Sequence, residues 1–241
     1  MTSHLHALTF DALDPTALAL FWAGLLGRTI GEDTGDGVTV LPGSGTELPL
    51  RFVRTREPKT SQNRLHFDLT SASLDEQKET VARALGLGGR HTDVGQLPQE
   101  EHVVLADPDG NEFCVIEPGN GFLAGCGFVG AIACDGSQAV GYFWSRALGW
   151  PLVWDENEET AIQSPAGGTK ITWGGPPLMP RLGRDRIRFD LAVGAGDGLE
   201  AEIERLLSLG ATRPDGGGRD DGGRVVLNDP DGNEFTVRTA R

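Results

Sequence analysis

No run in this chain approaches the roughly 20 apolar residues that cross a bilayer, which argues against a membrane span. The start, Met1-Thr2-Ser3-His4, also lacks the basic and then apolar stretches of a secretory signal, so a cytoplasmic location is expected. Cysteine is scarce. Cys114, Cys126 and Cys134 make an odd number without CxxC spacing, which speaks against a disulfide framework and a zinc knuckle and leaves reduced thiols. Positive charge is short as well: 21 Lys and Arg stand against 35 Asp and Glu, a net charge of -14 over 241 residues. Such a surface repels a phosphate polymer or an anionic membrane, so neither nucleic acid nor membrane is an expected partner. A cationic or neutral small molecule is easier to accommodate.

What is present is a repeat. Asp-Pro-Asp-Gly-Asn-Glu-Phe occurs at 107–113 and again at 229–235, a shift of 122 residues. Phe21-Trp22 returns at the same shift as Phe143-Trp144, Leu26-Gly27 as Leu148-Gly149, and Val103-Val104-Leu105 as Val225-Val226-Leu227. The stretch from Arg64 to Leu69 likewise returns as Arg186 to Leu191. One constant offset shared by separate anchors predicts two homologous domains, 1–121 and 122–241, divided at the turn-forming Pro118-Gly119-Asn120-Gly121.

Each half divides again. Leu5 to Phe10 reads as a strand, Asp14-Pro15 as an N-cap with proline at the first helical position, and Leu18, Phe21, Trp22 and Leu25 as one helix face closed by Gly27. Short strands follow near Val38–Leu41 and Leu48–Val53. The second unit repeats the order: strand Leu65–Thr70, a capping box of Ser73 and Glu76, a helix to about Leu85, then strands at Val103–Leu105 and Phe113–Ile116. The rhythm βαβββ thus occurs four times, an α+β class.

This order, with Phe21-Trp22 and Leu25-Leu26-Gly27 on the helix and Asp107-Pro108-Asp109-Gly110-Asn111 before the last strand, resembles the vicinal oxygen chelate superfamily. Glyoxalase I, bleomycin-resistance proteins and extradiol dioxygenases belong to it, and Asn-Glu-Phe in the final hairpin is similar to its glyoxalase-like subgroup. The resemblance covers nearly the whole chain. It implies that the two βαβββ units of each half form a cupped, mostly antiparallel sheet around a small-molecule cleft, giving two clefts.

Successive strand residues face opposite ways, which nominates cup residues. Leu65, Phe67 and Leu69 should pack under helices, so His66, Asp68 and Thr70 look into the first cup, with Glu112 and Cys114 from the last strand. The same parity places Arg188, Asp190, Glu234, Thr236 and Arg238 in the second cup, where Arg188, Asp190 and Glu234 are expected to form a salt-bridged wall. Trp173, at the position matched by Arg51, is a candidate apolar wall. His66 with Asp68 is the best pair for orienting a ligand or shuttling a proton. The hairpin acids Asp107, Asp109, Asp229 and Asp231 are better explained by turn geometry.

In metal-dependent members, the resemblance implies a divalent ion held by a His on the first strand, a His on the strand opening the second unit, and a Glu on the last strand. His66 fits the middle place. Ala7 falls at the first and Cys114 at the last, while the second half offers Val129, Arg188 and Thr236, and arginine cannot ligate a cation. His4 and His6 share parity with core positions. The expectation is therefore a metal-free binder of a small organic molecule, with no cofactor, acting in sequestration or a minor metabolic step. The alternative is a metal-dependent lyase, isomerase or dioxygenase in which His66 recruits Glu47, His6 or Glu112. The chain is expected to be a monomeric pseudo-dimer or a homodimer, and its second half could be a degenerate copy that completes the core.

Overall fold

The computed structural model describes residues 3–31, 37–97, 99–194, 198–215 and 224–240. The first unit runs β1 (His4–Ala12), α1 (Pro15–Leu26), β2 (Val38–Val40) and β3 (Leu50–Arg54). The second is β4 (Leu65–Leu69), α2 (Leu74–Gly86), β5 (Arg90–His91), β6 (Val103–Ala106) and β7 (Glu112–Val115). The third is β8 (Val129–Cys134), α3 (Gln138–Leu148), β9 (Leu152–Glu156), β10 (Glu159–Gln163) and β11 (Lys170–Trp173). The fourth is β12 (Ile187–Val193), α4 (Leu199–Leu209), β13 (Val225–Asn228) and β14 (Glu234–Thr239). This is the mixed α+β class that the repeat predicts, with three strands after the helix in the second and third units and two among the described residues of the first and fourth.

The expected caps form. Asp14 accepts the Ala17 N–H at 3.2 Å, and Gly27 takes the left-handed conformation that ends α1. Ser73 accepts the Glu76 N–H at 3.1 Å, while the Glu76 carboxylate reaches back to the Ala72 N–H at 2.6 Å.

The sheets correct one expectation. Each half does not close a sheet on itself; it supplies one unit to each of two sheets. The six-stranded sheet has the order β13-β14-β12-β1-β3-β2, and the eight-stranded sheet β5-β6-β7-β4-β8-β11-β10-β9. The edge of β1 is filled by antiparallel β12, and that of β4 by antiparallel β8. First and fourth units therefore share one cup face, second and third the other. A strand edge needs a hydrogen-bonding partner, and nothing local to β1 specifies which strand supplies it.

One apolar cluster runs through all four units. At its centre the rings of Phe10, Trp22, Phe67 and Phe113 lie 5.2–6.0 Å apart, and Trp144 sits 5.0 Å from both Phe189 and Phe235. Because residues of both halves share this cluster, the faces left for ligands are the polar sheet faces and the junctions between units.

Candidate functional site

His66 and Asp68 share one face of β4, and parallel pairing sets Cys114 of β7 beside Asp68. His66 Nε2 lies 3.4 Å from Asp68 Oδ1, and one ligand atom from each of the three residues lies within 4.8 Å of the others. Burial by itself would lower the imidazole pKa, but hydrogen bonds and negative charge from Asp68 and Cys114 outweigh it and raise the value to about 10. Burial pushes the Cys114 thiol up, against the pull of His66. The pull of Asp68 favours the protonated form of the His66 ring. A histidine so held donates hydrogen bonds to a neighbouring acceptor.

The sheet register extends this face. Ala133 stands opposite His66 and Ala131 opposite Asp68, followed by Thr172 and Lys170, then Ala161 and Gln163. Phe122 and Leu123, from the segment between β7 and β8, cover one end of it by packing on Val104, Cys114, Ile116 and Ala131. The Lys170 ammonium lies 4.4 Å from the centroid of the Phe122 ring and donates to the Phe122 carbonyl. Neither Lys170 nor this covering segment was foreseen. Ile171 and Trp173 as core residues signal the face of Lys170 by alternation, but the cover is a tertiary contact without a local signature.

The other predicted residues are placed differently. Glu112 is ion-paired with Lys59 and accepts the Asn63 N–H at 3.2 Å, which ties it to the connector before β4 and not to His66. In the six-stranded sheet, Arg188 donates to Asp11 at 2.7 Å, and Asp190 accepts from the Thr236 hydroxyl. Glu234 accepts from Arg184 at 3.2 Å. Asp11, Thr236 and Arg184 are thus partners of Arg188, Asp190 and Glu234, respectively. A bulge between Leu5 and Ala7 breaks the parity of β1 and brings His6 into contact with Arg238. Burial, reinforced by Arg238, lowers the His6 pKa to about 4.

Trp173 does not face the cup. It pairs with Cys134 and Thr160 on the core side and is 1% exposed, whereas the residue paired as Arg51 is paired with Thr9 is Lys170. Trp173, Arg188 and Glu234 instead line a cavity of about 350 Å³ between the connector before β4 and the one before β12.

The profile of the glyoxalase-like domain matches this chain twice, over residues 7–116 and 130–238. The chain belongs to the glyoxalase-like domain family. Glyoxalase I from Zea mays is similar in structure at 13% identity and a TM-score of 0.59, covering 98% of this chain and 92% of that one. A candidate dioxygenase from Bacillus subtilis subsp. subtilis str. 168 is similar at 16% identity and a TM-score of 0.59, over 99% of this chain and 85% of that one. At these identities the likeness shows the fold alone. No curated protein matches the sequence.

Against the ligand pattern that the resemblance implies, this glyoxalase-like chain is deficient. Glu47 is held by Arg28 at 2.9 Å, Glu112 by Lys59, and His6 lies in the other sheet beside Arg238. None of the three joins His66. Among the described residues the donors that converge are His66, Asp68 and Cys114, and a thiol must lose its proton before it can ligate. The residues present do not reproduce the family's ligand set.

Proposed function

We propose that this glyoxalase-like protein binds a small organic molecule on the cup face around His66 without a metal, acting by sequestration or in a minor metabolic step. The observation that carries this reading is the His66 side chain, 33% exposed and backed by Asp68 at 3.4 Å. An imidazolium so held donates to a ligand acceptor, and Asp68 reduces the net charge offered to it. Ala131 and Ala133 leave room on the floor, and Phe122 with Trp154, ring centroids 5.8 Å apart, supplies an aromatic wall. A neutral molecule bearing a carbonyl acceptor suits this lining. Metal analysis and native mass spectrometry of untreated protein test the reading. Sub-stoichiometric metal is expected, and one divalent ion per chain would overturn it.

A second reading, a metal-dependent lyase, isomerase or dioxygenase, is favoured by the convergence of three donor atoms within 4.8 Å. It requires that His66→Ala remove both a bound ion and turnover. We further read the chain as two domains, 1–121 and 122–241, acting as a monomeric pseudo-dimer. The two profile matches fall on either side of that boundary, and pairing between the halves occupies the strand edges of β1 and β4 within one chain. A native mass of two chains would support the homodimer instead.

A further inference from the structure

The cup face of the eight-stranded sheet has two unlike ends, and the strand register joins them. His66 on β4 stands opposite Ala133 on β8, and Ala133 opposite Thr172 on β11. Thr172 in turn stands opposite Ala161 on β10, and Ala161 opposite Trp154 on β9. Directly paired residues share a face, so these side chains form one row across the sheet. At about 4.8 Å per strand, the α-carbons of His66 and Trp154 are roughly 19 Å apart along the row, less whatever the curvature of the sheet removes.

Both ends are reachable from solvent. The His66 side chain is 33% exposed and Trp154 is 38% exposed, whereas Trp22, Trp144 and Trp173 are each 1% exposed. An indole left open on a cup face, met edge-on by the Phe122 ring at 5.8 Å, has ring surface to offer a ligand. Between the ends the side chains are small. Ala161 is fully covered, so the open floor consists of Ala133 and Thr172, both half-buried.

Charge lies at one end of the row. Asp68 is 3.4 Å from His66, and beyond that pair Ala133, Thr172, Ala161 and Trp154 carry none. Lys170, two residues before Thr172 on the same face of β11, is engaged by the ring and the carbonyl of Phe122. The row therefore offers a donor at His66, a hydroxyl midway, an uncharged floor and an aromatic stop. A flat apolar body with an acceptor at one end answers all of these. A compact ligand with the same acceptor leaves Trp154 uncovered, and a charged body would be desolvated over the floor without a partner.

We propose that the ligand of this cup is a fused-ring aromatic ketone, its carbonyl accepting from His66 and its rings lying over Ala133 and Thr172 with their far edge against Trp154. This rests on the proposed function of the His66 face, and adds the class of the ligand and a role for Trp154 in selecting its length.

The test is equilibrium dialysis of the full chain against neutral probes. The first, 2-acetylnaphthalene, has the carbonyl and the fused rings; acetophenone keeps the carbonyl on a single ring, and 2-ethylnaphthalene keeps the fused rings without the carbonyl. The first should bind about tenfold more tightly than either of the others. Trp154→Ala should weaken 2-acetylnaphthalene about tenfold and leave acetophenone unchanged, while His66→Ala should weaken both ketones and spare 2-ethylnaphthalene. Ala133→Leu, which raises the open floor without entering the core, should abolish binding of both naphthalenes. If His66→Ala weakens the ketones and Trp154→Ala changes nothing, the cup remains the binding face and the fused-ring proposal fails. No binding of 2-acetylnaphthalene to the unmodified protein, equal binding of all the probes, or binding indifferent to both substitutions would overturn it as well. Failure of the metal-free reading itself shows separately, as one divalent ion per chain in untreated protein.

Discussion

The indole N–H of Trp22 donates to Oδ2 of Asp107 at 3.0 Å, joining the helix motif to the hairpin motif 85 residues later in the chain. Trp144 makes the same bond to Asp229 at 3.2 Å. The two most recognisable pieces of the repeat are therefore one physical unit: the aspartate also accepts from the hairpin's own asparagine, and the tryptophan fixes helix against strand. This places the hairpin acids in structure and not in chemistry. Burial raises the Asp107 pKa to about 6 despite its hydrogen bonds.

Trp22→Phe keeps an aromatic ring but removes one donor from a buried carboxylate. A loss of about 1–3 kcal/mol in denaturant unfolding is expected at neutral pH, and Trp144→Phe should behave alike. No change in either would mean that the bond contributes nothing net.

Gly141 of α3 lies where an added Cβ would stand 2.0 Å from Thr160 Oγ1. Alanine ordinarily stabilises a helix interior by up to about 1 kcal/mol over glycine. Here the clash with a β-branched residue on the neighbouring strand should reverse the sign, and Gly141→Ala is expected to lower the melting temperature. A raised melting temperature would show that α3 can shift away from β10.

The pKa of His6 is lowered in the folded protein to about 4 from an ordinary 6.5. In the window between these values the unfolded chain takes up a proton that the folded one refuses, so stability is lost as pH falls from 6.5 towards 4. Asp107 shifts the opposite way in an overlapping window, so the measurement is the difference between parent and His6→Gln. The variant should lose less stability than the parent over that fall, and parallel curves would refute the burial of a neutral His6.

For His66 the sign is reversed. A folded pKa of about 10 contributes stability in full below 6.5, and that contribution disappears as pH rises through 10. In NMR titration the His66 ring should remain protonated through neutral pH, and Asp68→Asn should bring its midpoint down. A His66 midpoint near the ordinary value in the parent would remove the imidazolium from the proposed site.

Sequence alone determined the elements and their repetition. Helix caps at Asp14 and Ser73, the turn chemistry of Asp-Pro-Asp-Gly-Asn and the strand alternation around His66 and Asp68 are local, and the structure keeps all of them. Local rules did not foresee distant partners. A bulge lies beside His6, Lys59 pairs with Glu112, and Asp11 pairs with Arg188. The largest decision, that β1 pairs with β12 and β4 with β8, was tertiary as well. The hydrogen-bonding edge of a strand is the same backbone in every unit, so only the packing of all four units on a shared core could select which edges meet.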